Sequence, residues 1–308
     1  MFLDVLIPSN GQLSKLQPLL ESISAQSLQP DRILILIHKV LKKEEQDTLL
    51  YFLQRSVHPW LADKITLITN LTAEYEPGYG VGYDRNVLVS HAKAKYIYMI
   101  DHDNVFDEKL FQDTAKYRSD IKESTSKCAL ISPTILWRKT VTIQSQWITW
   151  FWYFLPKYIY GKMEVEPWQE VLMVGANSLF WLRELFEQHP FDERMTCCYE
   201  DVDMTRRVSL SWTPVMVLNK VEIHHMETKK TKLGALFLVT RTSAYERARN
   251  RIWFVKKHAI MRQKIQYFWL WLWLQTVRFL FLVLVYGGKE RFLLMSAVVK
   301  WTRDWLVW

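Results

Sequence analysis

Short apolar runs alternate with helical patterns through the first hundred residues, and few folds accept that alternation. Residues 2–7 form an apolar run that Pro8-Ser9-Asn10-Gly11 ends. Residues 13–25 then put Leu16, Leu19, Leu20 and Ile23 on one face at helical spacing. Strand patterns recur at 32–37, 64–69 and 96–100, with helical patterns at 41–54 and 87–94 between them. Buried strands separated by helices predict an α/β domain with a mostly parallel sheet and helices on both faces. Such sheets bind ligands beyond the carboxyl ends of their strands. The fourth strand runs directly into Asp101-His102-Asp103-Asn104, so chemistry is expected there.

Further along, residues 105–135 read as a helix and a strand, and 171–180 as another strand. Helices are expected at 183–188 and 203–210, a strand at 214–223, and a basic helix at 245–257. The stretch 137–168 is aromatic-rich and has no clear period. A chain of 308 residues with 49% hydrophobic content can bury a sizeable core, enough for one large α/β domain and an appendage. Cys128, Cys197 and Cys198 have no framework spacing and read as small buried hydrophobes in a reducing compartment. Residues 1–8 lack the basic start of a secretory leader, so the site-bearing part is expected to stay cytosolic.

Charge is unevenly placed. The net charge is +8, and residues 247–308 alone carry +10, which leaves −2 for residues 1–246. Of the 15 Trp, nine fall at 147–152, 269–273 and 301–308. Those Trp interleave with Leu, Val and Phe, which suits a bilayer interface better than base stacking, so no nucleic acid partner is expected. Residues 267–286 are almost wholly apolar and as a helix would be about 30 Å long, enough to span or to lie flat. In the next segment Leu294, Val298, Trp301, Trp305 and Trp308 form an apolar stripe opposite Lys289, Lys300 and Arg303. That pattern predicts a C-terminal helical membrane-associating segment over 259–308, following a catalytic domain over 1–258. A helical hairpin packed on protein is the competing reading.

Four groups of residues carry candidate chemistry. Asp101 and Asp103 stand two apart, and in an extended segment both would face one site with His102 turned aside. Two hard oxygen donors at a strand end suit Mg2+ or Mn2+ shared with a diphosphate. Glu200-Asp201-Val202-Asp203 opens a helix, where a carboxylate could take a proton or simply cap the helix. His224-His225 follows a strand, and either imidazole could complete a metal site or sit as a surface feature. Arg247, Arg249, Arg251, Lys256 and Lys257 could hold a diphosphate or form a solvated basic face.

In this order the pieces resemble family-2 glycosyltransferases of the GT-A fold, which is Rossmann-like, and especially bacterial rhamnosyltransferase-like members that build surface polysaccharides. The resemblance covers about residues 2–258. Val5 to Asn10 is similar to the family's first strand, whose end borders the nucleotide base. Gly82-Tyr83-Asp84-Arg85-Asn86 resembles its "G…ARN" stretch, with Asp84 where Ala is commoner. Ile100 to Asp103 resembles its metal-binding DXD. Gly175-Ala176, Phe191-Asp192-Glu193 and Tyr199 through Arg206 resemble the acceptor-side block, and Tyr245 through Asn250 its "Y…RN" helix. One departure stands out: the family carries a base-contacting acid after the second strand, and this chain has His38-Lys39.

The resemblance implies an inverting, metal-dependent transferase. Its donor would be a UDP- or dTDP-sugar. Asp201 would be the general base, and Asp101, Asp103 and His224 or His225 would hold Mn2+ or Mg2+. Pro8, Ser9, Asn10, Arg85, Asn86, His102 and Arg249 would line the donor, and Gly175, Ala176 and Glu200 the acceptor. With the Trp clusters, it implies a saccharide acceptor on a polyprenyl diphosphate and a peripheral or monotopic place on the cytoplasmic face of the plasma membrane. The rival readings are a nucleotide-binding scaffold of the same fold that has lost turnover, and a metal-dependent phosphate-ester hydrolase. The hydrolase would need more metal ligands near Asp101 than the sequence offers.

Overall fold

The structure is a computed structural model that describes residues 2–38, 41–55, 57–69, 80–137, 142–145, 147–150, 156–159, 166–196, 198–226, 241–270 and 272–273. Most of the expected membrane segment, including the stripe from Leu294 to Trp308, lies outside the described residues. No helix among the described residues is long and apolar enough to cross a membrane.

The chain divides into two compact units. The first comprises Met1–Thr149, Tyr158–Thr196 and Glu200–Lys230. The second comprises Trp150–Lys157, Cys197–Tyr199 and Thr231–Trp308, so the basic helix at 245–257 groups with the C-terminal residues rather than with the domain expected over 1–258.

In the first unit β1 (Leu3–Ser9) leads to α1 (Leu13–Ser24), β2 (Arg32–Ile37), α2 (Lys43–Arg55), α3 (Pro59–Ala62) and β3 (Ile65–Thr69). Then come α4 (Val81–His91), β4 (Tyr96–Ile100), β5 (Asn104–Phe106), α5 (Leu110–Thr125), β6 (Leu130–Trp137) and β7 (Thr142–Ser145). β8 (Trp147–Trp150) and β9 (Pro156–Ile159) lie off the main sheet, and each has residues in both units. β10 (Trp168–Val171), β11 (Ser178–Leu182), α6 (Arg183–Gln188), α7 (Glu200–Leu210) and β12 (Val215–His225) complete the unit. The second unit carries α8 (Arg241–His258) and a helical stretch from 261 to 270.

The sheet runs in the order β10-β12-β6-β11-β4-β1-β2-β3, with β5 beside β12 and β7 beside β6. It is mixed rather than mostly parallel. β3, β2, β1 and β4 are parallel, joined through helices, whereas β11 lies antiparallel to both β4 and β6, and β10 antiparallel to β12. The expected strand at 171–180 is in fact two, β10 and β11. Residues 172–177 leave the strand between them, and β10 and β11 run in the same direction, both against β12 and β6.

Both faces of the sheet are covered, which explains the near-continuous apolar runs of β1, β2 and β4. Leu3, Val5 and Ile7 pack on one face with Ile33, Ile35 and Tyr98, beneath Leu16 and Leu20 of α1 and Phe111 of α5. Leu6, Leu34, Leu36 and Met99 pack on the other, against Leu88 of α4 and Met204 and Val208 of α7. Each fully buried side chain of this size stabilises the fold by about 1.5–3 kcal/mol. Strand order reverses at β1, with β2 on one side and β4 on the other, so the crevice beyond Ser9 and Ile100 is the sheet's switch point.

Candidate active site

Four elements converge at that crevice. α4 begins at Val81, six residues before the helical pattern expected from 87, so Asp84, Arg85 and Asn86 all lie in its first two turns. Its start is pinned by a close backbone approach. A Cβ on Gly80 would lie 2.0 Å from the Thr196 carbonyl oxygen, so only glycine lets the two segments pass.

Arg85 is buried and joins two carboxylates. Its Nη2 donates to Asp101 Oδ1 at 3.0 Å and its Nη1 to Glu200 Oε1 at 2.9 Å. Burial opposes its charge, but Asp101, Glu200 and Asp201 outweigh that and raise its pKa. Burial and the neighbouring Asp201 charge push the Glu200 carboxyl well above the usual carboxylate range, with Arg85 opposing. Asn86, beside it, clamps the segment before α7: its amide donates to Phe191 O at 3.0 Å and to Glu193 Oε1 at 2.8 Å, and its Oδ1 accepts from Phe191 N. Arg85 and Asn86 therefore hold the site's frame together.

Asp101 and Asp103 do not lie on one face of an extended segment. Residues 102 and 103 form a turn between β4 and β5. Asn104 holds that turn, its Nδ2 donating to Asp101 O at 3.0 Å and Asn177 O at 3.2 Å. The two carboxylates consequently have different partners. Asp101 meets Arg85, whereas Asp103 meets Lys15 Nζ at 3.3 Å and His225 Nε2 at 3.3 Å. Their acidities diverge too. Desolvation and the Asp103 charge raise Asp101 against the pull of Arg85. Burial also opposes ionisation of Asp103, but His225, His102 and Lys15 prevail and hold it down at about 2.

The histidines separate by strand phase. Val221, Ile223 and His225 alternate on the buried face of β12, and His224 lies on the other face with Glu222. A register shift between Leu218 and Glu222 sets that phase next to the site. His225 pairs across to Asn104 and meets Asp103. His102 lies in the turn itself, and burial lowers its pKa despite both aspartates. Ser9 Oγ accepts from Gly11 N and Asn10 Oδ1 from Gln12 N, so both side chains shape the turn into α1.

At the start of α7, Asp201 Oδ2 accepts the Ala176 N–H at 3.0 Å and Oδ1 the Val202 N–H at 2.7 Å. Thr205 Oγ1 bonds Val174 in both directions, docking α7 on the turn that precedes β11. Gly175 passes close to Asp201, with a Cβ there 3.5 Å from Oδ2. Arg249 lies in the second unit, where its Nε donates to Asn250 Oδ1, and Asn250 in turn holds the Cys198 carbonyl. Sequence reasoning missed Lys15, Asn104 and the contact of His38 with Asp84. Asn104 was signalled only by its place after Asp103, and Lys15 by nothing.

Among the described residues no group of three or more His, Cys, Asp and Glu side chains is poised as it stands to hold a metal ion. The donor set still suits a hard divalent cation, with two carboxylate-bearing residues and an imidazole at one turn. Asp103 and His225 already meet, and Asp101 would share itself with Arg85.

No protein-family model matches the chain, and no curated protein matches it by sequence. Solved structures do match it in fold. The chain is similar to Staphylococcus aureus TarS 1–349 in complex with UDP-GlcNAc, with TM-score 0.57 and 13% identity over 87% of this chain and 72% of that one. It is also similar to the same fragment with UDP, with TM-score 0.55 and 12% identity over 87% and 71%. A third likeness is to GalNAc-T7 with UDP, GalNAc and Mn2+, with TM-score 0.59 and 13% identity over 81% of this chain and 48% of that one. These neighbours are nucleotide-sugar glycosyltransferases, and what this chain shares with them is the GT-A-like α/β fold.

Proposed function

We propose that this chain is an inverting, metal-dependent glycosyltransferase that moves a sugar from a UDP- or dTDP-sugar to a hydroxyl of a lipid-linked saccharide. One observation carries the reading. In a GT-A-like fold, Arg85 joins Asp101 to Glu200, and two residues after Asp101 the carboxylate of Asp103 meets His225, all at the switch point of the sheet. Asp101, Asp103 and His225 would hold Mn2+ or Mg2+, which when bound supplies positive charge beside the departing diphosphate. Asp201 takes the proton from the acceptor hydroxyl. The oxygen forms a bond to the anomeric carbon as the bond to the nucleoside diphosphate breaks on the opposite face, so configuration inverts. Asp201 is ready for this because Ala176 and Val202 fix its orientation through backbone N–H groups, while a carboxylate has lone-pair positions beyond the two they occupy.

The full chain with Mn2+ is expected to release nucleoside diphosphate from a panel of UDP- and dTDP-sugars, and chelation should lower the rate about a hundredfold or more. If no nucleotide raises the melting temperature, with or without Mn2+, the reading is wrong.

The membrane part of the proposal places the chain peripherally on the cytoplasmic face of the plasma membrane. Exposed apolar side chains support it: Met261, Ile265, Trp269 and Trp273 stand four apart and are each 51–70% exposed, with Arg262 and Lys264 between the first of them. Changing Trp269 and Trp273 to Ala is expected to weaken flotation with anionic liposomes. Flotation equal to that of the parent chain would count against this surface.

A further inference from the structure

The first turn of α4 carries a second carboxylate with its own role. Asp84 is only 3% exposed. Its Oδ2 lies 2.5 Å from Nδ1 of His38, and among the described residues its buried Oδ1 has no hydrogen-bond partner. His38 directly follows β2, and its backbone N–H donates to Ser9 O at the end of β1. The pair therefore stands beyond the carboxyl ends of β1 and β2, on the edge where such sheets take their ligands. A buried acceptor without a donor is costly, and a structural ion pair gains nothing by leaving one oxygen bare. Asp84 lies in the first turn of α4, and His38 fixes which of its oxygens remains. An ionised carboxylate only accepts hydrogen bonds, so its complement is an N–H or O–H donor.

Resting on the function proposed above, we propose that Asp84, held by His38, reads the base of the donor nucleotide by accepting a ring N–H on its pairing edge. Uracil, thymine and guanine present such a donor. Cytosine and adenine present a bare ring nitrogen at that edge, which a carboxylate repels. Arg85, the next residue, faces Asp101 and Glu200 instead, so one helical turn divides base reading from support of the catalytic carboxylates.

Isothermal titration of the full chain with UDP, dTDP, GDP, CDP and ADP, in Mn2+, tests this. The parent chain should bind at least one of the first three about tenfold or more tighter than CDP and ADP. Asp84→Asn turns the acceptor into a group that can also donate, and should collapse that ratio, with CDP gaining as UDP or dTDP loses. His38→Ala, at a partly exposed position, should lower the ratio as well, and it carries the test if Asp84→Asn does not fold. Binding that is selective in the parent chain and equally selective in these variants overturns the base-reading role and leaves the proposed function standing. Preference for CDP or ADP in the parent chain overturns the base-reading role and, with it, the UDP- or dTDP-sugar donor, and leaves the transferase reaction to be tested with those nucleotides. Failure of every nucleotide to bind overturns both.

Discussion

Asp201→Asn is expected to abolish sugar transfer while the fold and donor binding persist. The carboxylate sits between two backbone donors, Ala176 N at 3.0 Å and Val202 N at 2.7 Å, at the first turn of α7. An amide of the same shape keeps the packing against Gly175 and α7, but it can accept from only one of the two donors and turns its NH2 toward the other. That local conflict costs about 1–3 kcal/mol, which a domain of this size tolerates. The chemical loss is larger. An amide cannot take a proton at neutral pH, and removal of a positioned general base lowers rates about 10²- to 10⁴-fold. The variant should therefore show a collapsed kcat, an unchanged Kd for the donor nucleotide, and a melting curve close to that of the parent. If kcat survives, the proton leaves by another route. Glu200 would then be the next group to test, since burial and Asp201 hold its carboxyl in the range where it can exchange protons.

The parts of the fold that depend on local pattern could be read from the sequence. β2 and β4 fall on the residues expected of them, because strands buried on both faces spell out continuous apolar runs. α4 was legible only from residue 87. Its buried positions include Gly82, Asp84 and Arg85, so its inward face carries charge where the helical pattern looks for apolar residues. The break between β10 and β11 was hidden as well. Residues 172–177 are mostly apolar, and what interrupts the strand there is the docking of α7 through Thr205 and Asp201, a contact between residues about 30 apart. The site shows the same division. Asp101 at a strand end is a local signal. That Asp101 and Asp103 face different partners depends on the turn held by Asn104, and the choice of His225 over His224 depends on the pairing of β12 with β5. No spacing in the sequence encodes those two facts.

The same long-range logic makes Arg85 the most fragile position of the site. Replacing it with Met keeps the volume but removes the cation between Asp101 and Glu200, with Asp201 close by. Breaking a buried ion pair from one side costs about 3–5 kcal/mol, because the abandoned charge stays out of water. Since a whole domain is stable by only about 5–15 kcal/mol, Arg85→Met should lower the denaturation midpoint strongly. The loss should also depend on pH in a fixed direction. Burial and the Asp201 charge raise Glu200 in the folded chain above its unfolded value, and Arg85 is what opposes them. Without Arg85 the folded state holds the Glu200 proton more tightly still, so it binds more protons than the unfolded state over a wider window. Stability then falls as pH rises through that window, from the ordinary carboxylate range upward. The variant should therefore be closest to the parent chain near pH 5 and furthest from it near pH 8. Adding Glu200→Gln to Arg85→Met should recover part of the stability and flatten the pH dependence, because the orphaned charge is then gone. A single variant as stable as the parent at pH 8, or a double variant no better than the single one, would mean that Arg85 does not bridge the two halves of the site.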